Sequence, residues 1–174
     1  MTRRAPRMSD TESRAWLSLI AVAELLPVAL DAQLRADSDL TNVEFRTLSA
    51  LQQTPESTMR MGELARILSS NLPRLSKLIS RLEERNFVTR ETVIGDGRAV
   101  DVVLTATGRA ALIRALPEHL AYIRSTIFEH LSAAEIATLA DALEPLAQRL
   151  DRSGRFTCAT PPPACDDVTS NGAA

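Results

Sequence analysis

The sequence predicts a mainly α-helical fold with a small β-hairpin wing, the arrangement of a winged helix-turn-helix. Three observations in the stretch that begins at Gly62 support this prediction. A short helical pattern comes first, a second helix rich in Arg and Lys follows after a tight connection, and two β-branched runs then flank a Gly-bearing turn. The remaining sequence is helical in pattern, so we expect it to hold this stretch in place.

Length and composition indicate one compact unit. The chain has 174 residues, of which 45% are hydrophobic and 24% charged, which is enough to bury a core without metals or disulfides. The net charge is only −2, but the stretch from Arg60 to Val100 holds eight Arg or Lys residues against five Asp or Glu. The charge is therefore polarised, with cations concentrated in the predicted winged unit.

The two ends of the chain indicate a cytoplasmic protein. Residues 1–10 and the Pro-rich residues 151–174 lack periodicity and are expected to be disordered. The N-terminal arginines are either solvated or in contact with phosphates, and no apolar run follows them to make a signal peptide. Cys158 and Cys165 lie in the tail and are either incidental thiols or a redox pair. A secreted protein would instead use its cysteines for disulfide bonds that hold its core together.

The first helix is predicted over residues 11–36. Its apolar side chains cover too much of the circumference for one narrow stripe, so we expect burial on more than one side. Glu24, Pro27 and Asp31 interrupt the apolar run. We therefore expect no membrane span and no membrane partner.

Capping residues mark the second helix, and a short third helix follows. Residues 41–44 form a capping box, with Leu40 and Phe45 at the hydrophobic staple positions. This helix is expected to end near Gln53. Residues 63–68 then predict a short helix with one packing face.

The Arg- and Lys-rich helix is expected to begin at Asn71 or one residue earlier, because Asn71 can cap a helix and Pro73 is tolerated only in a first turn. Its apolar and cationic residues fall on opposite faces. The apolar face comprises Leu75, Leu78, Ile79 and Leu82, and the cationic face comprises Arg74, Lys77, Arg81 and Arg85. Asn86 is expected to end the helix in the left-handed conformation.

A β-hairpin is predicted next. Residues 88–94 and 100–104 are rich in β-branched side chains and predict two strands. The turn-forming cluster 95–99 lies between them and places Arg98 on the hairpin tip.

Two long helices complete the predicted fold. Thr105 caps the first, whose apolar residues continue to Leu131, and Pro117 should kink or break it. A second capping box at residues 132–135 begins the last helix, which carries an apolar seam to Leu150. These seams expose more apolar surface than one small winged unit can cover, so we expect a homodimer.

A helix with this cationic face favours binding to double-stranded DNA in the major groove. The candidate base-reading residues are Asn71, Leu72, Pro73, Arg74, Ser76 and Lys77. Arg74 can bond guanine O6 and N7 together, and Leu72 and Pro73 can contact a thymine methyl. The candidate phosphate contacts are Ser69, Ser70 and Arg81. Arg98, oriented by Asp96, is expected to reach the minor groove.

The segments ELARILSSNLPRLSKLISRLEERNFVTRE and GDGRAVDVVLTATGRA resemble the core of the MarR family of bacterial winged-helix transcription regulators. The resemblance is closest from Leu64 to Gly108 and includes the wing signature Asp96-Gly97-Arg98. It implies one unit over residues 11–150, with a winged DNA-binding lobe at 41–104 and intertwined dimerisation helices at 11–36 and 105–150. It also implies a palindromic operator, and release of the DNA by a small-molecule or oxidant signal.

The resemblance further implies an effector pocket between the dimerisation helices and the winged lobe. The candidate pocket residues for a small aromatic or anionic effector are Trp16, Arg46, His119 and Tyr122. Two of them have alternative interpretations, because Trp16 is also typical of a core anchor and His119 of a hydrogen-bonding residue at an interface.

Two other function classes are considered. One is a winged-helix module that dimerises or docks a protein without reading DNA. The other is an enzyme, which has little support because the chain has no nucleophile–base motif and no phosphate loop. Its two histidines have no metal-ligand spacing, so neither a metal nor a cofactor is expected.

Overall fold

The computed structural model describes residues 7–93 and 96–151, with the backbone alone at positions 93 and 96–98. Its helices and strands are α1 (Asp10–Ser38), α2 (Asn42–Gln52), β1 (Thr58–Arg60), α3 (Met61–Ile67), α4 (Leu72–Glu84), β2 (Val88–Val93), β3 (Asp96–Leu104), α5 (Ala106–Thr126) and α6 (Ala133–Leu150). Short 3-10 turns cover Pro55–Ser57 and Phe128–His130. The mainly helical fold with a small β wing is confirmed.

The three strands form one antiparallel sheet in the order β1-β3-β2. The sequence predicted only the hairpin, because the three residues of β1 are too few to show a period. The hairpin is also tighter than predicted: Val93 pairs with Asp96, so Asp96 to Ala99 belong to β3 rather than to a turn. The backbone of Arg98 therefore lies in a strand and not on the tip.

Side-chain caps begin most of the helices. The predicted capping boxes at Thr41 and Ser132 are confirmed, and so are the N-caps Asn71 and Thr105. A further capping box at Ser9, which the sequence analysis missed, starts α1 one residue before the predicted position. α3 begins at Met61, two residues earlier than predicted.

α5 does not break at Pro117, and it ends at Thr126, five residues before the predicted end at Leu131. Val43 of α2 is exposed. It lies in the first turn of the helix, on the side away from the buried staple residues Leu40 and Phe45.

The core lies between α1, α2, the helix-turn-helix and the base of the sheet. Its fully buried members are leucines and β-branched residues: Leu34, Leu40, Leu48, Leu51, Leu64, Leu75, Ile79, Leu82, Val88 and Val102. A polar contact fixes α1 to α2, because the Asp31 carboxylate accepts a hydrogen bond from the backbone N–H of Asn42 at 2.8 Å. Two hydrogen bonds lower the pKa of Asp31: the larger effect comes from the side chain of Arg35 and the smaller from the backbone N–H of Asn42.

The chain divides into two compact units after His130, whereas one unit over residues 11–150 was predicted. Of the described residues, the second unit contains α6, none of whose residues is buried. Its leucines at 139, 143, 146 and 150 are exposed. In the first unit, α1 exposes Trp16, Leu17, Val22, Leu25 and Val28.

The expectation that Glu24, Pro27 and Asp31 rule out a membrane span was too strong. By length and composition α1 qualifies as a candidate span, the single one among the described helices. The same composition also suits a helix that a second protein chain covers. Length and hydropathy therefore do not decide between the two environments.

Gly108 gives the packing of α5 a direct test. A Cβ at Gly108 would lie 2.1 Å from the carbonyl oxygen of Phe87 and 2.9 Å from the Leu104 side chain, whereas a Cβ at Gly62 would meet nothing within 4 Å. Gly108→Ala is expected to lower the free energy of unfolding by about 3 kcal/mol, because backbone must move to admit the methyl group. Gly62→Ala, the control, should raise it by roughly 0.5–1 kcal/mol. Urea denaturation measures both, and equal effects would contradict this packing.

Candidate nucleic-acid interface

α4 is held by its cap at one end and by its apolar face along its length. The Asn71 side chain accepts a hydrogen bond from the Arg74 N–H at 2.9 Å, and Pro73 lies in the first turn. Leu75, Leu78, Ile79 and Leu82 are all buried, as predicted. The other side of the helix is therefore turned to solvent.

The turn between α3 and α4 is tight although it contains no glycine. Ser69 has φ 52°, in the left-handed region that glycine usually occupies. The Ser70 N–H donates to Ala65 at 2.9 Å, and the Ser69 N–H donates to Arg66 at 3.2 Å. These two bonds close α3 in a Schellman motif. The same motif ends α4, with Asn86 at φ 56° as predicted.

The solvent face of α4 carries three exposed cations, Arg74, Lys77 and Arg81. Their side chains form no ion pair or hydrogen bond with any described residue. Leu72 stands beside them with 54% of its surface exposed. An exposed cationic face with an apolar residue at its start suits phosphates and the edges of bases.

Arg85 does not belong to this face, so the predicted set of four outward cations is corrected to three. Its guanidinium is 3.3 Å from Asp39 and 3.8 Å from Glu44, and it stacks over the ring of Phe87 at 4.5 Å. Arg85 therefore ties the end of α4 to the junction of α1 and α2.

Arg90 in β2 is a residue that sequence reasoning missed. It pairs with Glu83, and it donates to the Ser76 carbonyl at 2.8 Å and to Ser80 Oγ at 3.1 Å. These partners lie 7 to 14 residues away on another element, so no helical spacing shows them. The available signal was strand alternation, which puts Arg90 on the same face as buried Val88.

The wing approaches the start of α4 across an open groove of about 510 Å³. The groove is lined by Arg60, Met61, Gly62, Glu63, Leu72, Ser76, Ala99 and Val100. Leu72 and Ser76 thus share one surface with strand β3. The predicted minor-groove residues Asp96 and Arg98 continue this strand, but their side chains lie outside the described residues.

Three of the four candidate effector residues lie where α2 and α5 meet, and Trp16 lies apart from them on α1. His119 is buried on α5, where its Nδ1 lies 2.7 Å from the Gln33 amide oxygen and its ring lies 4.4 Å from that of Phe45. The hydrogen-bond partner of His119 is therefore within its own chain, whereas the alternative interpretation placed it at an interface. Trp16 is 51% exposed and is not a core anchor. It precedes Gln33 by about 25 Å along α1.

Arg46 follows Phe45, the ring partner of His119, and Tyr122 lies three residues after His119 on α5. Arg46 is exposed on α2, and Tyr122 is half-buried on α5. Trp16 and His119 therefore lie in different parts of the first unit, since His119 contacts Gln33 near the other end of α1. Among the described residues no three His, Cys, Asp or Glu side chains are grouped to hold a metal ion.

The chain is similar in sequence to a known family and to several bacterial proteins. Residues 38–99 match the model of the MarR family. The chain is 34% identical over 91 residues to HTH-type transcriptional regulators of Bacillus cereus and Bacillus thuringiensis, neither of them characterised. That match covers 52% of this chain and 58% of each relative.

Two solved structures are similar over most of their length. The MarR family regulator Sco3205 from Streptomyces coelicolor, solved in complex with DNA, has a TM-score of 0.78 and 32% identity, covering 87% of this chain and 95% of that one. The regulator AbsC from the same organism has a TM-score of 0.76 and 32% identity, covering 84% and 98%.

The buried histidine predicts a pH dependence of stability. Burial lowers the pKa of His119, so the unfolded chain binds a proton more readily than the folded chain. The free energy of unfolding should therefore fall as the pH drops below about 6.5 and level off below the folded pKa. His119→Gln should remove this dependence. His130→Gln, at an exposed position and the chain's other histidine, is the matched control. Urea denaturation between pH 7.5 and 5.5 measures the free energy of unfolding. If its dependence on pH were unchanged in His119→Gln, the predicted role of His119 would be contradicted.

Proposed function

The chain belongs to the MarR family of transcription regulators, and from this premise we propose that it binds a palindromic operator in double-stranded DNA as a homodimer. It is a DNA-binding regulator and not an enzyme. In our proposal it is a cytoplasmic repressor, and a small-molecule or oxidant signal releases it from DNA. A docking module that does not read DNA is not favoured, because a relative with 32% identity was solved with DNA.

One observation carries the proposal. Arg74, Lys77 and Arg81 project from α4 without a partner among the described side chains, whereas Arg85 and Arg90 are both held by carboxylates. Here the free cations are those on the face away from the core. They are available to neutralise phosphates and to bond bases.

Each residue has a proposed role. Arg74 reads guanine, and Leu72 and Pro73 contact a thymine methyl. Asn71, Ser76 and Lys77 complete the base-reading segment, although the Asn71 carboxamide oxygen also serves as the helix cap. Ser69, Ser70 and Arg81 contact phosphates. Arg98, oriented by Asp96, enters the minor groove.

Dimerisation is supported by the apolar surface that the chain leaves exposed. α1 exposes Leu17, Leu25 and Val28, α5 exposes Ile113 and Leu120, and α6 exposes its leucines. A second copy is the partner that buries such surfaces symmetrically. A two-fold dimer would place two recognition helices about 34 Å apart, one turn of B-form DNA.

The proposed effector is a small aromatic or anionic molecule that binds near Trp16, Arg46, His119 and Tyr122. Since Trp16 lies about 25 Å along α1 from Gln33, the residue that His119 contacts, we propose that a pocket containing both Trp16 and His119 is completed by residues of two chains. Effector binding and dimerisation are then linked. A ligand that favours a dimer with wrongly spaced recognition helices would release the operator.

Salt titration of DNA binding tests the proposal. The logarithm of the association constant should fall steeply with the logarithm of the salt concentration, because phosphate contacts release counterions. Arg81→Ala should weaken binding to all sequences alike and reduce that slope by about one, and Arg74→Ala should also relax the preference at one operator position. Arg124→Ala, at an exposed site on α5, is the control. Fluorescence anisotropy measures each constant, and a flat salt response of the wild type would contradict DNA regulation.

A further inference from the structure

We propose that Arg90 is a positioning residue that couples the recognition helix α4 to the wing, so that the two contact DNA as one unit. The inference rests on the proposed function, since it requires that α4 and the wing both touch DNA. Arg90 itself reads no base. Its contribution is to fix the geometry between two surfaces that do.

The contacts of Arg90 span a long stretch of α4. Its guanidinium donates to the Ser76 carbonyl at 2.8 Å and to Ser80 Oγ at 3.1 Å, and it pairs with the Glu83 carboxylate. Its backbone N–H donates to the other Glu83 oxygen at 3.1 Å. Ser76 and Glu83 are separated by about 10 Å along the helix axis. The Ser76 carbonyl and the Ser80 and Glu83 side chains converge on one guanidinium, so a single planar fork contacts residues of successive turns and fixes both the position and the tilt of α4 relative to β2.

Arg90 is the outermost of the β2 residues whose contacts with α4 are described. Val88, two residues earlier on the same face, is buried in the core, and Thr92, two residues later, is exposed. Thr89 and Glu91, on the opposite face, are also exposed. Arg90 is therefore the last described residue of β2 that bonds to α4.

The register of the sheet carries this restraint into the rest of the wing. Arg90 pairs with Val102 of β3, and Val102 pairs with Met59 of β1. Val102 and Met59 are buried. A displacement of Arg90 would therefore move β3, the strand whose far end carries Arg98.

Arg90 is poorly placed to be another phosphate contact. Its side chain is 29% exposed, and both terminal nitrogens are bonded to α4. By contrast, Arg74 and Arg81 are exposed and have no partner among the described side chains. This difference separates a residue that positions the binding surface from residues that contact DNA.

A double-mutant cycle tests the coupling. Dissociation constants for a selected operator are measured for Arg74→Ala, Arg98→Ala and the double variant, first in the wild-type background and then with Arg90→Gln. The coupling factor is the product of the two single losses of affinity divided by the loss in the double variant. In the wild-type background it should be about five or more. With Arg90→Gln the coupling factor should fall to about one. Arg90→Lys, which keeps the charge opposite Glu83 but lacks the fork, should give an intermediate value.

The control is Arg85→Gln, which removes another ion-paired arginine, located at the end of α4, that contacts the junction of α1 and α2. It should leave the coupling factor unchanged even if it lowers the melting temperature equally. Arg90→Lys and Ser80→Ala each remove part of the contacts between Arg90 and α4. If Arg90→Gln does not fold, both of these variants must lower the coupling factor.

The outcomes separate the two proposals. If neither Arg74→Ala nor Arg98→Ala weakens binding, the proposed function fails and this inference fails with it. If both weaken binding but the coupling factor is one in the wild type, or persists with Arg90→Gln, the role of Arg90 alone is overturned.

Discussion

The apolar face of α4 has to be buried, and this constraint determines where the cations of the helix lie. Leu75, Leu78, Ile79 and Leu82 occupy the core, and each fully buried side chain of this kind contributes about 1.5–3 kcal/mol. An exposed ion pair contributes only about 0–1 kcal/mol. Burial therefore sets the rotation of α4 about its axis, and the arginine contacts at its edges refine the position. Arg74, Lys77 and Arg81 are presented to solvent as a consequence.

Contacts at both ends of α4 also fix its direction. The left-handed Ser69 and the Asn71 cap fix the turn into α4. Just beyond the end of α4, Gly108 lets the start of α5 approach the backbone of Phe87. Arg85 then ties α4 to the junction of α1 and α2, and Arg90 ties it to β2. A recognition surface needs this rigidity, because bidentate bonds to bases tolerate little misplacement.

Local patterns predicted local structure well. The caps at Thr41, Asn71 and Ser132, the inward face of α4 and the family were all visible in spacing and residue type. β1 was not, since three residues show no period, and Arg90 was not, since its partners depend on the packing of a strand against a helix. The predicted effector site illustrates the same limit, because residue type and spacing do not show that His119 contacts Gln33, about 25 Å along α1 from Trp16. Which surfaces a second chain covers likewise depends on contacts that one sequence does not encode locally.

In the proposed dimer, the α4 helices of the two copies read bases in two successive major grooves of a palindromic site. Methylation interference on operator fragments selected by the purified protein tests it most directly. Methylation of guanine N7 should block binding in two segments whose centres lie about 34 Å apart, one helical turn. Absence of interference in the major groove, or interference confined to one segment, would contradict the account.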